Sequence, residues 1–121
     1  MKKDETIQNY LEAIYFISIE KNDVRAIDVV KYMNFSRPTV SVALKQLEKE
    51  GYINIKNNII TLNETGKKIA KTMSERHEII AKLLIKLGVS KEAAYKDSCL
   101  IEHDLSSESF SAIKKYAKKT K

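Results

Sequence analysis

The sequence has no tryptophan, three phenylalanines, three glycines, one proline and one cysteine in 121 residues. A lone Cys99 excludes an intrachain disulfide and fits a reducing compartment. Three glycines are too few to build a Gly-rich phosphate loop or to shape a deep pocket, and no His-Glu-x-x-His motif is present, so an enzyme is not expected. With few aromatics, aliphatic side chains must supply most of the burial; a hydrophobic share of 43% suffices for a compact core. No apolar run is long enough to span a bilayer. The charged start, Met1 to Glu5, leads into no signal-peptide core. The expectation is a soluble, cytoplasmic protein with no membrane partner.

What is present is positive charge. Lys and Arg number 22 against 16 acidic residues, a formal net charge of +6. That balance favours a polyanionic partner, nucleic acid or an anionic surface. The length suits one small domain with an appended helical module.

Hydrophobic spacing predicts the elements. Ile7, Leu11, Ile14, Tyr15 and Ile19 mark an amphipathic helix over about 5–20. A short helix follows over about 26–33. Ser36 reads as an N-cap with Pro38 in the first turn, and Gly51 stops the helix that starts at Arg37. Alternating segments at 52–56 and 59–62 flank Asn57-Asn58, a pair that tolerates the positive φ of a tight hairpin. Asn63 then caps a long helix from Glu64 to about Leu87, and two further helices begin after Ser90 and after Ser106 or Ser107. The boundary is expected near Met73, giving domains over residues 1–72 and 73–121. Ile79, Ile80, Leu83, Leu84 and Leu87, with Leu100, Ile101, Leu105, Phe110 and Ile113, supply either a dimer face or one internal core.

Helix, helix, turn, helix, hairpin is the order of a winged helix-turn-helix. A helix fits the major groove, and its N-terminal residues meet base edges. The candidate DNA contacts are therefore Ser36, Arg37, Pro38, Thr39, Ser41 and Lys45, with Lys56 on the wing. The competing reading leaves Ser36 a simple cap and the lysines a solvated face.

Cys99, Glu102 and His103 stand at i, i+3 and i+4, one face of a helix. Thiolate, carboxylate and imidazole together suit a divalent transition metal. Asn9 and Glu12 are likewise i and i+3, and His77 is the only other histidine. Taken singly, each has a bland reading as a surface or packed residue.

Five segments then fall in a familiar order: Asn9 to Tyr15, Ser36 to Ser41, Glu64 to Lys68, Arg76 to Glu78, and Cys99 to His103. In them the chain resembles the metal-dependent repressors that include the diphtheria toxin repressor and the manganese transport regulator. The resemblance implies a mainly α fold, with an N-terminal winged helix-turn-helix and a small β-hairpin wing, followed by a helical metal-binding and dimerisation domain. The architecture is similar to the short form without an SH3-like domain. It implies Glu12, His77, Glu102 and His103 as metal ligands, with Cys99 matching the thiolate of iron-type members. Asn9 departs from the pattern, standing where manganese-type members carry Asp and iron-type members Met. The implied cofactor is iron(II) or manganese(II), with zinc or cobalt as alternatives. The implied partners are a second copy of the chain and a palindromic DNA operator, and the implied role is repression of metal-uptake genes. The alternative is a regulator with a degenerate metal site that binds DNA without metal or senses redox state through Cys99. A third reading is a protein-interaction module on a winged helix.

Overall fold

A computed structural model describes residues 3–119; the extreme ends of the charged N-terminal run and of the lysine-rich C-terminal tail lie outside them. The elements are α1 (Lys3–Glu20), α2 (Ala26–Met33), α3 (Arg37–Lys49), β1 (Ile53–Lys56), β2 (Ile59–Leu62), α4 (Glu64–Lys86), α5 (Lys91–Ile101) and α6 (Ser107–Lys119). The chain divides into two compact units between Lys71 and Thr72, a boundary inside α4.

In the first unit, Tyr10, Leu11, Ile14 and Ile17 of α1 close on Val29 of α2, Val40, Leu44 and Leu47 of α3, and Ile53 and Ile60 of the hairpin. Burying each such aliphatic side chain contributes about 1.5–3 kcal/mol. Ile19 is exposed instead of buried. At ~100° per residue it lies opposite the Tyr10–Leu11–Ile14–Ile17 seam, so the four-residue step from Tyr15 leads off that face.

Local chemistry sets the joints. Asp28 accepts from the Arg25 N–H and from Lys21 Nζ, both at 2.9 Å, which fixes the start of α2. The Lys21 ammonium holds the Asp28 carboxyl below its ordinary range. Asn34 ends α2 in the left-handed region at φ 57, where its N–H donates to the Val30 carbonyl at 2.9 Å. Gly51 stops α3 at φ 85. β1 and β2 pair antiparallel, Ile53 opposite Leu62 and Lys56 opposite Ile59. The two-residue turn between them, Asn57 at φ 54 and Asn58 at φ 64, has the double positive φ of a type I′ hairpin.

The wing is pinned at its base. The Asn63 N–H donates to the Tyr52 carbonyl at 3.1 Å, Asn63 Nδ2 donates to the Gly51 carbonyl, and Asn63 Oδ1 accepts from the Gly66 N–H at 3.0 Å. Gly66 lies so near the strand that an added Cβ would overlap the Tyr52 carbonyl oxygen. Glu48 of α3 accepts from the Ile55 N–H at 2.9 Å and ties the hairpin to that helix.

In the second unit, Ile80, Ala81, Ala94 and Phe110 are buried. Of the apolar residues left open between a dimer face and an internal core, Ile80 and Phe110 serve this unit's own core. Leu87 and Leu100 remain 72% and 61% exposed. Ser90 caps α5 by accepting from the Ala93 N–H at 3.3 Å. α5 ends at Ile101; Glu102 is its C-cap and His103 lies in the following turn. Glu102 keeps right-handed helical dihedrals, and the His103 imidazole beside it is buried. No helix among the described residues is long and apolar enough to cross a membrane.

Candidate metal centre and nucleic-acid interface

In the second unit, α4 and α5 bring three of the expected ligands to one point. His77 Nδ1 lies 3.2 Å from Glu102 Oε2 and 3.4 Å from Cys99 Sγ. It is also 3.0 Å from Ser98 Oγ, whose hydroxyl donates to the Tyr95 carbonyl at 2.9 Å. His103 Nε2 stands 3.4 Å from the other Glu102 oxygen, Oε1. The Tyr95 ring tilts against the His77 ring at 5.4 Å, while its hydroxyl donates to Glu78 at 3.0 Å.

Glu102 is the centre of this cluster. It is fully buried, and neither carboxylate oxygen accepts a hydrogen bond among the described residues. A buried carboxylate without donors costs several kcal/mol, on the order of a lost ion pair, unless a cation meets it. The Cys99 sulfur first, and the Glu102 carboxylate second, push the His77 imidazole up to about 10 against the opposing effect of burial. A proton on His77 is thus the charge that the metal-free cluster holds. Sulfur, nitrogen and oxygen donors around a buried acid fit a divalent transition metal.

Arg76 and Ser98, neither among the expected site residues, hold this cluster in place. Arg76 Nη1 donates to the backbone carbonyls of Glu102 at 3.0 Å and Leu105 at 2.8 Å, with the guanidinium 5.1 Å above the Phe110 ring. The last carbonyls of a helix have no intrahelical partner, and Arg76 satisfies the one on Glu102. The sequence signal for Arg76 was its place in the Arg76 to Glu78 segment of the family resemblance, directly before His77. Glu12 and Asn9 lie on α1 in the first unit, Glu12 buried and Asn9 half-buried.

The expected DNA contacts sit on α3 and the wing. Ser36 is the N-cap: its Oγ accepts from the Thr39 N–H at 3.3 Å and donates to Thr39 Oγ1 at 2.8 Å. Arg37, Pro38, Thr39, Ser41 and Lys45 are all exposed, as is Lys56 beside the hairpin turn. Lys67, Lys68 and Lys71 are exposed on the first turns of α4.

Residues 4–59 match the N-terminal DNA binding domain of the iron dependent repressor family, and residues 63–121 match that family's metal binding and dimerisation domain. The transcriptional regulator MntR of Salmonella typhimurium is 36% identical over 110 residues, covering 90% of this chain and 70% of its own. An uncharacterized HTH-type transcriptional regulator of Methanocaldococcus jannaschii is 32% identical over 120 residues, covering 97% of this chain and 96% of its own. Among solved structures, the metal-dependent transcriptional regulator MtsR superposes with a TM-score of 0.84 at 23% identity. It shares the fold over 91% of this chain, which spans about half (52%) of that one. With both family domains matched in order, and a buried acid ringed by imidazole and sulfur where the second of them lies, the chain belongs to the iron-dependent repressor family of metal-responsive, DNA-binding transcription regulators.

Proposed function

We propose that this chain represses metal-uptake genes in the cytoplasm by binding a palindromic operator as a homodimer once a divalent metal is bound. The observation that carries the reading is Glu102: fully buried, its oxygens without hydrogen bonds, and faced by His77, His103 and the nearby Cys99 sulfur. His77, Cys99, Glu102 and His103 are the proposed ligands, with Glu12 and Asn9 carried over from the family pattern as further donors. A bound ion supplies positive charge that replaces the His77 proton and neutralises Glu102. Iron(II) or manganese(II) is the proposed ion. The sulfur of Cys99 raises intrinsic affinity for iron(II), zinc and cobalt(II) over manganese, and cellular supply then selects among them.

Residues 1–72 form the proposed DNA-binding domain and residues 73–121 the proposed metal-binding and dimerisation domain. Ser36, Arg37, Pro38, Thr39, Ser41 and Lys45 meet the major groove, and Lys56 the backbone beside it. The ion needs to favour the DNA-competent state by only about 1–3 kcal/mol to act as a switch. The apolar surface at Leu87 and Leu100 is available to the second subunit.

The test is selection of duplexes from a random DNA library by the full chain, with and without iron(II), manganese(II) or zinc(II), followed by chelator. Enrichment of a palindrome only with metal is the expected result. Enrichment indifferent to chelator would leave a DNA-binding regulator and remove the metal switch. In that case the redox reading of Cys99 becomes the better one.

A further inference from the structure

The recognition helix carries one exposed apolar residue that the fold does not explain. Val42 is 70% exposed in the middle of α3. Turning ~100° per residue, it lies almost diametrically opposite the buried Val40–Leu44–Leu47 seam. A β-branched side chain lowers helix propensity and gains nothing by standing in water. Packing and local structure therefore both argue against valine at this position.

Its neighbours sharpen the point. Two polar residues of the same helix are tied to the protein: Gln46 Nε2 donates to Glu50 at 3.0 Å, and Glu48 accepts from the wing at Ile55. The centre of the outward face is left to Pro38, Val42, Lys45 and Lys49. Pro38 and Val42 are one turn apart and form a small apolar strip, with Lys45 and Lys49 continuing the face as cations. When such a helix enters the major groove, the centre of its outward face goes deepest. The apolar feature that the groove offers there is the C5-methyl of thymine.

We infer that Val42 is a specificity-determining residue that reads a thymine methyl in each half-site, with Pro38 extending the same apolar strip. The inference rests on α3 being the DNA-reading helix. The cationic neighbours supply attraction to the polyanion, while the valine contributes selectivity by desolvating one methyl group and by offering no partner to a polar base edge.

The experiment uses a duplex selected from the random library by the metal-loaded full chain. Each thymine is replaced in turn by uracil, which removes the methyl and nothing else. The wild-type chain is expected to lose about fourfold in affinity at one thymine per half-site, the effect of a single buried methyl. Val42→Ala is expected to lose that sensitivity at the same thymine while keeping its response at other positions. Because Val42 is exposed, the variant should melt with the wild type, so a change in the profile reports recognition and not folding. Identical uracil profiles for wild type and Val42→Ala, or a duplex with no methyl-sensitive thymine, overturn the inference and leave the DNA-binding reading standing. Selection of no duplex in any condition overturns both.

Discussion

Arg76 and Glu102 meet through the backbone: the arginine Nη1 donates to the glutamate's own carbonyl at 3.0 Å, and the adjacent His77 meets its carboxylate at 3.2 Å. Two consecutive residues of α4 thus hold the C-cap residue of α5 at both ends. Arg76 sets where the Glu102 main chain sits, and His77 sets where its charge points.

Arg76→Met should therefore weaken metal binding without removing a donor. Partners that orient ligands commonly contribute about 10–100-fold in affinity. Calorimetric titration with manganese(II) reads this directly. Arg76→Lys should recover part of the loss, because an ammonium can still donate to one carbonyl. Unchanged affinity in Arg76→Met would show that α5 holds Glu102 without help.

Glu102→Gln removes the buried charge and keeps the shape. The variant should stay folded without metal, since no buried carboxylate charge remains to be paired. It should lose the rise in melting temperature that metal gives the wild type. Cys99→Ser should act differently, lowering zinc and cobalt(II) affinity more than manganese affinity, because a thiolate favours softer ions. Competition titrations among the ions check that ordering.

The His77 imidazole is held up to about 10, against an ordinary value of 6.5, so the folded protein binds this proton more tightly than the unfolded chain. Its contribution to stability is complete below pH 6.5 and fades as pH rises toward about 10. The urea midpoint of the metal-free protein should decline across that window. Metal affinity should rise over the same window, because the ion displaces the proton. His77→Gln should flatten the first dependence.

Gly66→Ala places a methyl group on the Tyr52 carbonyl oxygen, and backbone on both sides leaves little room to yield. A loss of about 1–3 kcal/mol is expected, as for overpacked sites generally. Thermal melting reads the loss. DNA affinity at a temperature where the variant is still folded then reports how far the wing has moved.

Arg37→Ala and Lys56→Ala should each reduce the slope of log affinity against log salt by ~0.9 if each residue neutralises one phosphate. Filter binding across a salt series separates such a contact from direct base readout. Loss of a base contact changes the preferred sequence and leaves the slope in place.

Much of the fold was legible because its joints are chemical. The Ser36 cap, the Asn57-Asn58 turn and the Gly51 stop each need a residue type that the sequence shows openly, and the structure uses each as expected. Periodicity did less well where an apolar residue has a choice of partners. Ile19 fits a helical spacing yet faces outward, and the spacing of Ile80 and Phe110 left open whether they serve a dimer face or the core they fill. The site shows the same divide. His77, Cys99 and Glu102 could be named from donor chemistry and family pattern. Arg76 could not, because a buried arginine is recognised by the carbonyls it meets, and those lie 26 and 29 residues further along the chain.

Cys99 is the chain's single thiol, and it is exposed while standing 3.4 Å from His77. A thiol-selective alkylating reagent therefore has one cysteine to react with in this sequence. If the sulfur binds the ion, its labelling rate becomes a built-in gauge of occupancy, slow when loaded and fast when empty. A brief pulse of labelled reagent in living cells, followed by mass measurement, would then report the fraction of repressor carrying metal at that moment without purification or added probe.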